Sequence, residues 1–175
     1  MDATPITQLD PRFSDERATA LPWSEGREML VAAQTFWLST VRSDGRPHVT
    51  TIAGIWMDER FCFTTGETEQ KARNLARNQG VVVIAGRSEF AGTDVVIEGT
   101  ARRMADTERL RRLASVFIEK YGDTFRFAVR EGRLELEEGG GEVLAFEVIA
   151  SKGFAFVKDD PFGQTRWRFG GPVLG

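Results

Sequence analysis

"LSTVRSDGRPHVTTIAGIWMDERFCFTTGETEQKARNL", residues 38–75, decides the fold. With Phe36 and Trp37 before it, the stretch opens on a strand-like run, 36–42. Asp44-Gly45 then gives a turn signal, and a second run, 48–57, returns. "DER" is a second tight turn, and "FCFTT" (61–65) completes an antiparallel three-stranded meander. Two threonines and a glycine end it, and a polar helix follows over 69–78, carrying Lys71, Arg73, Asn74, Arg77 and Asn78.

Working outward, Ser24 is placed to cap a short helix through Gln34, with Leu30 and Ala33 inward. The continuous apolar run "VVVIA" (81–85) reads as a buried strand, and "DVVIEGTARRM" (94–104) as a long one. Asp106 caps an amphipathic helix in which Leu110, Leu113, Ala114, Phe117 and Tyr121 recur at helical spacing, and Gly122 ends it. A further helical piece is expected over 124–131, then a charged, glycine-rich loop, "RLELEEGGGE". Strands are expected at 143–150, 154–158 and 165–169. The fold class is therefore mainly β (α+β), with about eight strands in an antiparallel barrel and a few flanking helices. Residues 1–23, with Pro5, Pro11 and Pro22, read as an irregular arm, and 24–175 as one domain.

Composition narrows the function. The chain of 175 residues has net charge −3 and a pI near 5.4, whereas a nucleic-acid binder usually shows a basic excess. No apolar run approaches a membrane span, and the start lacks the basic and apolar regions of a signal peptide, so a cytoplasmic protein is expected. Cys62 is the one cysteine and His48 the one histidine, which leaves almost no material for a catalytic triad or a zinc site. Neither GxGxxG nor GxxxxGK[ST] occurs.

Two stretches remain as candidates. In "TTGETEQK", Thr68 as N-cap would leave the amides of Glu69, Gln70 and Lys71 free at a helix start, beside the hydroxyls of Thr64 and Thr65. That arrangement suits a phosphate, although Glu67 and Glu69 repel anions and the spacing alone favours a plain capped surface helix. In "GQTRWRF", Arg166 and Arg168 share one face of a strand and Trp167 takes the other. This is either an edge strand with its tryptophan in the core, or an aromatic wall with cations beside a planar anionic ligand.

The 38–75 stretch, with "VVIEGTARRM" and "QTRWRF", resembles the pyridoxamine 5'-phosphate oxidase-like split β-barrel superfamily over residues 24–169. The ending is similar to the actinobacterial branch that uses coenzyme F-420, an 8-hydroxy-5-deazaflavin. The resemblance implies FMN or F-420 as cofactor, a redox reaction on a small organic substrate, and a homodimer with sites at the interface. From charge and hydropathy, no nucleic-acid or membrane partner is expected. Lys71 matches the phosphate lysine of a "K-x-x-N-L" helix, and Asn74 belongs to the same motif. Thr64 and Thr65 match strand-end residues beside it, and Thr50, Thr51 and Ile52 the stretch lining the ring system. Arg166, Trp167 and Arg168 match a tail supplied by the partner subunit, which the interruption at Pro161 and Gly163 would let cross over. Trp56 and Trp167 are candidate substrate walls. Gln70 and Asp94 depart from the pattern and argue against pyridoxamine phosphate oxidation. No catalytic side chain is implied, because the cofactor ring performs the redox step. A flavin or haem carrier without turnover, and a protein-interaction barrel, are the alternatives.

Overall fold

The computed structural model describes residues 4–130, 133–137 and 141–170. Its first element corrects the reading of the arm as irregular. β1 (Ile6–Leu9) is a four-residue strand, paired antiparallel with the last strand of the chain (Gly163–Arg168). Prolines flank it, and Ile6, Thr7 and Gln8 are all exposed on this edge strand, so its sequence carries no inward periodicity.

Helix α1 (Trp23–Ala32) starts one residue before the expected Ser24 cap, with Pro22 as N-cap and no side-chain cap bond. β2 (Phe36–Val41) and β3 (Pro47–Ile52) form the first hairpin, with Thr40 opposite His48. The expected strand 48–57 is broken at Ala53, and β4 (Gly54–Met57) continues it at a new angle. Gly54 permits the bend: a Cβ there would lie 2.2 Å from Cζ of Phe61. Asp58 and Glu59, at φ 52° and 57°, make the tight turn into β5 (Arg60–Gly66). Helix α2 (Gln70–Leu75) follows and ends three residues earlier than expected.

β6 (Gly80–Ala85), β7 (Thr93–Met104) and helix α3 (Thr107–Tyr121) follow the pattern of the sequence. Asp106 caps α3 by accepting from the amide of Arg109 at 2.9 Å. The helical piece expected at 124–131 is instead a 3-10 turn (Gly122–Phe125) and β8 (Phe127–Arg130), and the expected loop holds β9 (Arg133–Leu136). Residues 138–140 of that loop lie outside the described residues. Packing explains the hairpin: Phe127 and Leu134 are buried against the apolar face of α3, with Phe127 edge-on to Phe117 at 5.5 Å.

The strands expected at 143–150 and 154–158 are one strand, β10 (Gly141–Val157), whose register shifts between Ala150 and Lys152. β11 (Gly163–Arg168) closes the order β1-β11-β10-β7-β6-β2-β3, while β5 joins β4 to β10 and β9 joins β8 to β10. Eleven strands are thus described, against about eight expected. The sheet curls without closing, as an antiparallel split β-barrel of the α+β class. α2 sits between the ends of β5 and β2, placing Leu75 in the barrel core with Phe36, Leu38 and Val83. A second core lies beneath α3, around Cys62, Leu113 and Phe117. No helix among the described residues is long and apolar enough to cross a membrane.

Candidate functional site

The residues that converge at the split begin with Thr65. Alternation along β5 sends Phe61, Phe63 and Thr65 to the barrel core and Cys62 and Thr64 to the other face. Thr64 and Thr65 therefore do not share one site. The Cys62 thiol is pushed up to about 12 by burial and by Glu147, so it is inert.

Glu69, not the expected Thr68, is the N-cap of α2. Its Oε1 accepts from the Gly66 amide at 2.7 Å and the Thr65 hydroxyl at 3.1 Å. Its Oε2 pairs with the ammonium of Lys71. Burial opposes the charge on Glu69, but Lys71, the Gly66 amide and Thr65 together hold it below its ordinary value. Lys71 is only 8% exposed. With six residues, α2 is too short for its dipole to carry an anion site. Three donors therefore converge on the one Glu69 carboxylate: the Lys71 ammonium, the Thr65 hydroxyl and the Gly66 amide.

Behind Lys71 lies a polar network. The side-chain amide of Asn74 donates to Thr40 Oγ1 at 2.8 Å, and that of Gln70 donates to Asn74 Oδ1 at 2.8 Å. Thr40 Oγ1 also lies 3.4 Å from His48 Nδ1. His48 is half-buried, and desolvation with the positive charges of Arg42 and Lys71 lowers its proton affinity below the ordinary value. Sequence reasoning passed over His48 because it was weighed only as a member of a triad or metal site. The hairpin turn at Asp44-Gly45 was the available signal, since it sets His48 opposite Thr40.

Thr50 follows His48 on the same face of β3, and its buried Oγ1 has no hydrogen-bond partner among the described residues. Ile52 is in the barrel core. Thr51 points outward, opposite Trp37. From there a single register row crosses the uncovered face: Thr51, Trp37, Ile84, Val96, Phe154, Arg166 and Gln8. Thr51 and Arg166 are separated along it by about 24 Å, from five strand spacings of about 4.8 Å.

β11 pairs with β10 of its own chain, so the tail folds back rather than crossing over as a strand. Within it Arg166 and Arg168 face outward, whereas Trp167 is 0% exposed. Its ring meets Trp23 at 5.1 Å, and its Nε1 donates to the Leu21 carbonyl at 3.1 Å. Trp167 is a core residue and leaves the set of cofactor contacts. Trp56 packs on Trp23 at 5.6 Å, at the margin of the same core. A groove of about 720 Å³ opens on the other side of α2, walled by Leu75, Ala101 and Phe146 and rimmed by Arg102 and Arg103. No cluster of three metal-binding side chains occurs among the described residues.

The sequence profile of a family described as pyridoxamine 5'-phosphate oxidase matches residues 23–153. No curated protein matches the chain in sequence. Solved structures share its fold. A conserved hypothetical protein from Mycobacterium tuberculosis is 19% identical, with 86% of this chain and 90% of that one covered and a TM-score of 0.64. HutZ, the haem storage protein from Vibrio cholerae, is 22% identical over 77% of this chain and 91% of its own, with a TM-score of 0.59. An F420 reductase is 19% identical over 76% and 96%, with a TM-score of 0.54.

Proposed function

The chain belongs to the pyridoxamine 5'-phosphate oxidase family, and from that premise we propose that it is an oxidoreductase that works with FMN or the deazaflavin F-420 on a small organic substrate. The observation that carries the reading is the convergence of Lys71, Thr65 and the Gly66 amide at the split of the barrel. These donors fit a phosphate. The orphaned Thr50 hydroxyl fits a polar edge of a ring system, since a buried hydroxyl without a partner is costly.

When bound, the flavin or deazaflavin supplies the hydride or electron chemistry. The protein's part is binding and orientation. Lys71 holds the phosphate end. Gln70, Asn74 and Thr40 lock α2 against β2 and so fix where Lys71 stands. His48, with its lowered proton affinity, is neutral near pH 7 and offers one donor and one acceptor.

The site is shared between two copies in this reading. The uncovered row from Thr51 to Phe154 is largely apolar, with Val49 beside it 57% exposed, and supports a homodimer. Arg166 lies at the far end of that row, five strands from Thr51, and Arg168 follows it on the same face of β11. On a two-fold axis across the face, they belong to the partner's site.

The haem storage protein among the structural relatives supports a second reading, a carrier of flavin or haem without turnover. Absorbance titrations of the protein with FMN, F-420 and haem, each separately, decide the ligand. Turnover with the reduced cofactor and a panel of quinones and enones decides between enzyme and carrier. A protein that binds none of the three refutes both readings.

A further inference from the structure

The groove across α2 from Lys71 has walls of one kind. Leu75 of α2, Ala101 of β7, and Leu144 and Phe146 of β10 line it, and all four belong to the barrel core. At about 720 Å³ it falls within the usual range of small-molecule pockets, about 300–1,000 Å³. One cation stands over this apolar floor. Alternation along β7 puts Arg103 on the same inward face as Ala101, and the register sets it opposite Phe146. The Phe146 ring stacks on Phe63 at 5.4 Å and carries the Arg103 guanidinium carbon 5.8 Å from its centroid. Arg102 alternates to the other face, in register with Glu147. These surroundings partly desolvate the Arg103 guanidinium. Glu67 on the rim and Glu142 favour its charge and Arg133 opposes it, but neither carboxylate pairs with it among the described residues: Glu142 is taken by Arg133 at 2.9 Å.

We propose that this groove is a second binding site, for a monocarboxylate with an apolar body. The body lies on Leu75, Ala101, Leu144 and Phe146, and the carboxylate pairs with the guanidinium of Arg103. Removing apolar surface from water drives the body into the groove. The planar guanidinium offers parallel donors that match the two oxygens of a carboxylate. A cation already desolvated by ring and alkyl neighbours gains more from an anion than one in open water. Glu67 and Glu142 limit the charge the site accepts: one negative charge is matched by Arg103, and a second is repelled. A neutral molecule of the same shape keeps the burial and loses the ion pair. A cation of the same shape meets Arg103 and is disfavoured.

The test is titration of the full-length protein with octanoate, octanamide and octylamine, which share one alkyl chain and differ in charge, followed by amide chemical shifts in nuclear magnetic resonance. Shifts are expected in α2 and at 100–103 and 144–146. Octanoate should bind about tenfold more tightly than octanamide, the effect of one charge-assisted contact, and octylamine more weakly than either. Arg103→Gln should bring octanoate to within twofold of octanamide and leave octanamide unchanged. Ala76→Phe sets a ring into the groove from the exposed end of α2 and should weaken both by about tenfold. Thermal melting checks that each variant is folded. Equal affinities for octanoate and octanamide in wild type, a preference that survives Arg103→Gln, binding indifferent to Ala76→Phe, or no saturable binding at millimolar concentration would each overturn the proposal. Octanoate binding should also be unchanged by saturating FMN, and competitive displacement by FMN overturns the assignment of a separate site.

Discussion

Replacing Trp167 with phenylalanine separates a packing role from a ligand role. The indole lies in a slot bounded by two glycines: a Cβ on Gly26 would be 2.4 Å from its Cη2, and one on Gly153 2.9 Å from its Cε3. Trp23 closes the slot edge-on, and the Leu21 carbonyl accepts from Nε1. Phenylalanine removes that hydrogen bond and leaves a part-buried carbonyl without its donor, at about 1 kcal/mol. The smaller ring also leaves a void beside the glycines, which cannot fill it, at about 1–2 kcal/mol. The expected loss is about 2–3 kcal/mol, or about 5–10 °C in melting temperature for a domain of this size. Urea unfolding followed by far-ultraviolet circular dichroism measures it without relying on the deleted fluorophore. FMN and F-420 affinities, measured on the folded variant, should stay within twofold of wild type. A variant as stable as wild type to within about 0.5 kcal/mol, yet with cofactor binding lost, would falsify the core assignment.

The shared-site reading predicts complementation: a heterodimer of Lys71→Ala with Arg166→Ala/Arg168→Ala has one site with both lesions and one with neither. It should recover up to about half the wild-type activity per dimer, and recovery no better than the two homodimers would count against a trans contribution. Glu147 is buried between Arg60, at 2.8 Å, and Arg109. Burial opposes its charge, but the two arginines bring its proton affinity below the ordinary value. Its stabilisation is therefore present above about pH 4–5 and is lost as the pH falls through its lowered folded value. Glu147→Gln should destabilise the protein clearly at pH 7 and much less at pH 3, and equal effects at both in urea melts would remove this account.

The meander was legible in the sequence because each strand alternates and each turn carries its own signal, Asp44-Gly45 and Asp58-Glu59. Lys71 and Asn74 were legible through their helix motif and lie together in the structure. The alternation of "RWRF" separated the arginines from Trp167, but local pattern does not say which face is inside; Gly26 and Gly153, distant in sequence, decide that. β8 and β9 were missed because glutamates, arginines and glycines dominate the stretch, and the two buried residues, Phe127 and Leu134, draw their meaning from α3. The grouping of Thr64 with Thr65 ignored the two-residue period of a strand. Glu69 was visible only as a charge hostile to anions; its role as occupant depends on side-chain geometry.

The pairing of β1 with β11 joins the first ordered strand to the last, with Ile6 opposite Arg168 and Leu9 opposite Thr165. During synthesis the segment that becomes β1 emerges early and has no partner until the final strand has left the ribosome. Because Ile6 lies opposite Arg168, a short linker joining these two strands would convert this long-range pairing into a local hairpin. A circular permutant built that way, with new ends opened in the loop at 86–92, should reach the same fold by a shorter loop closure and refold faster than the natural order.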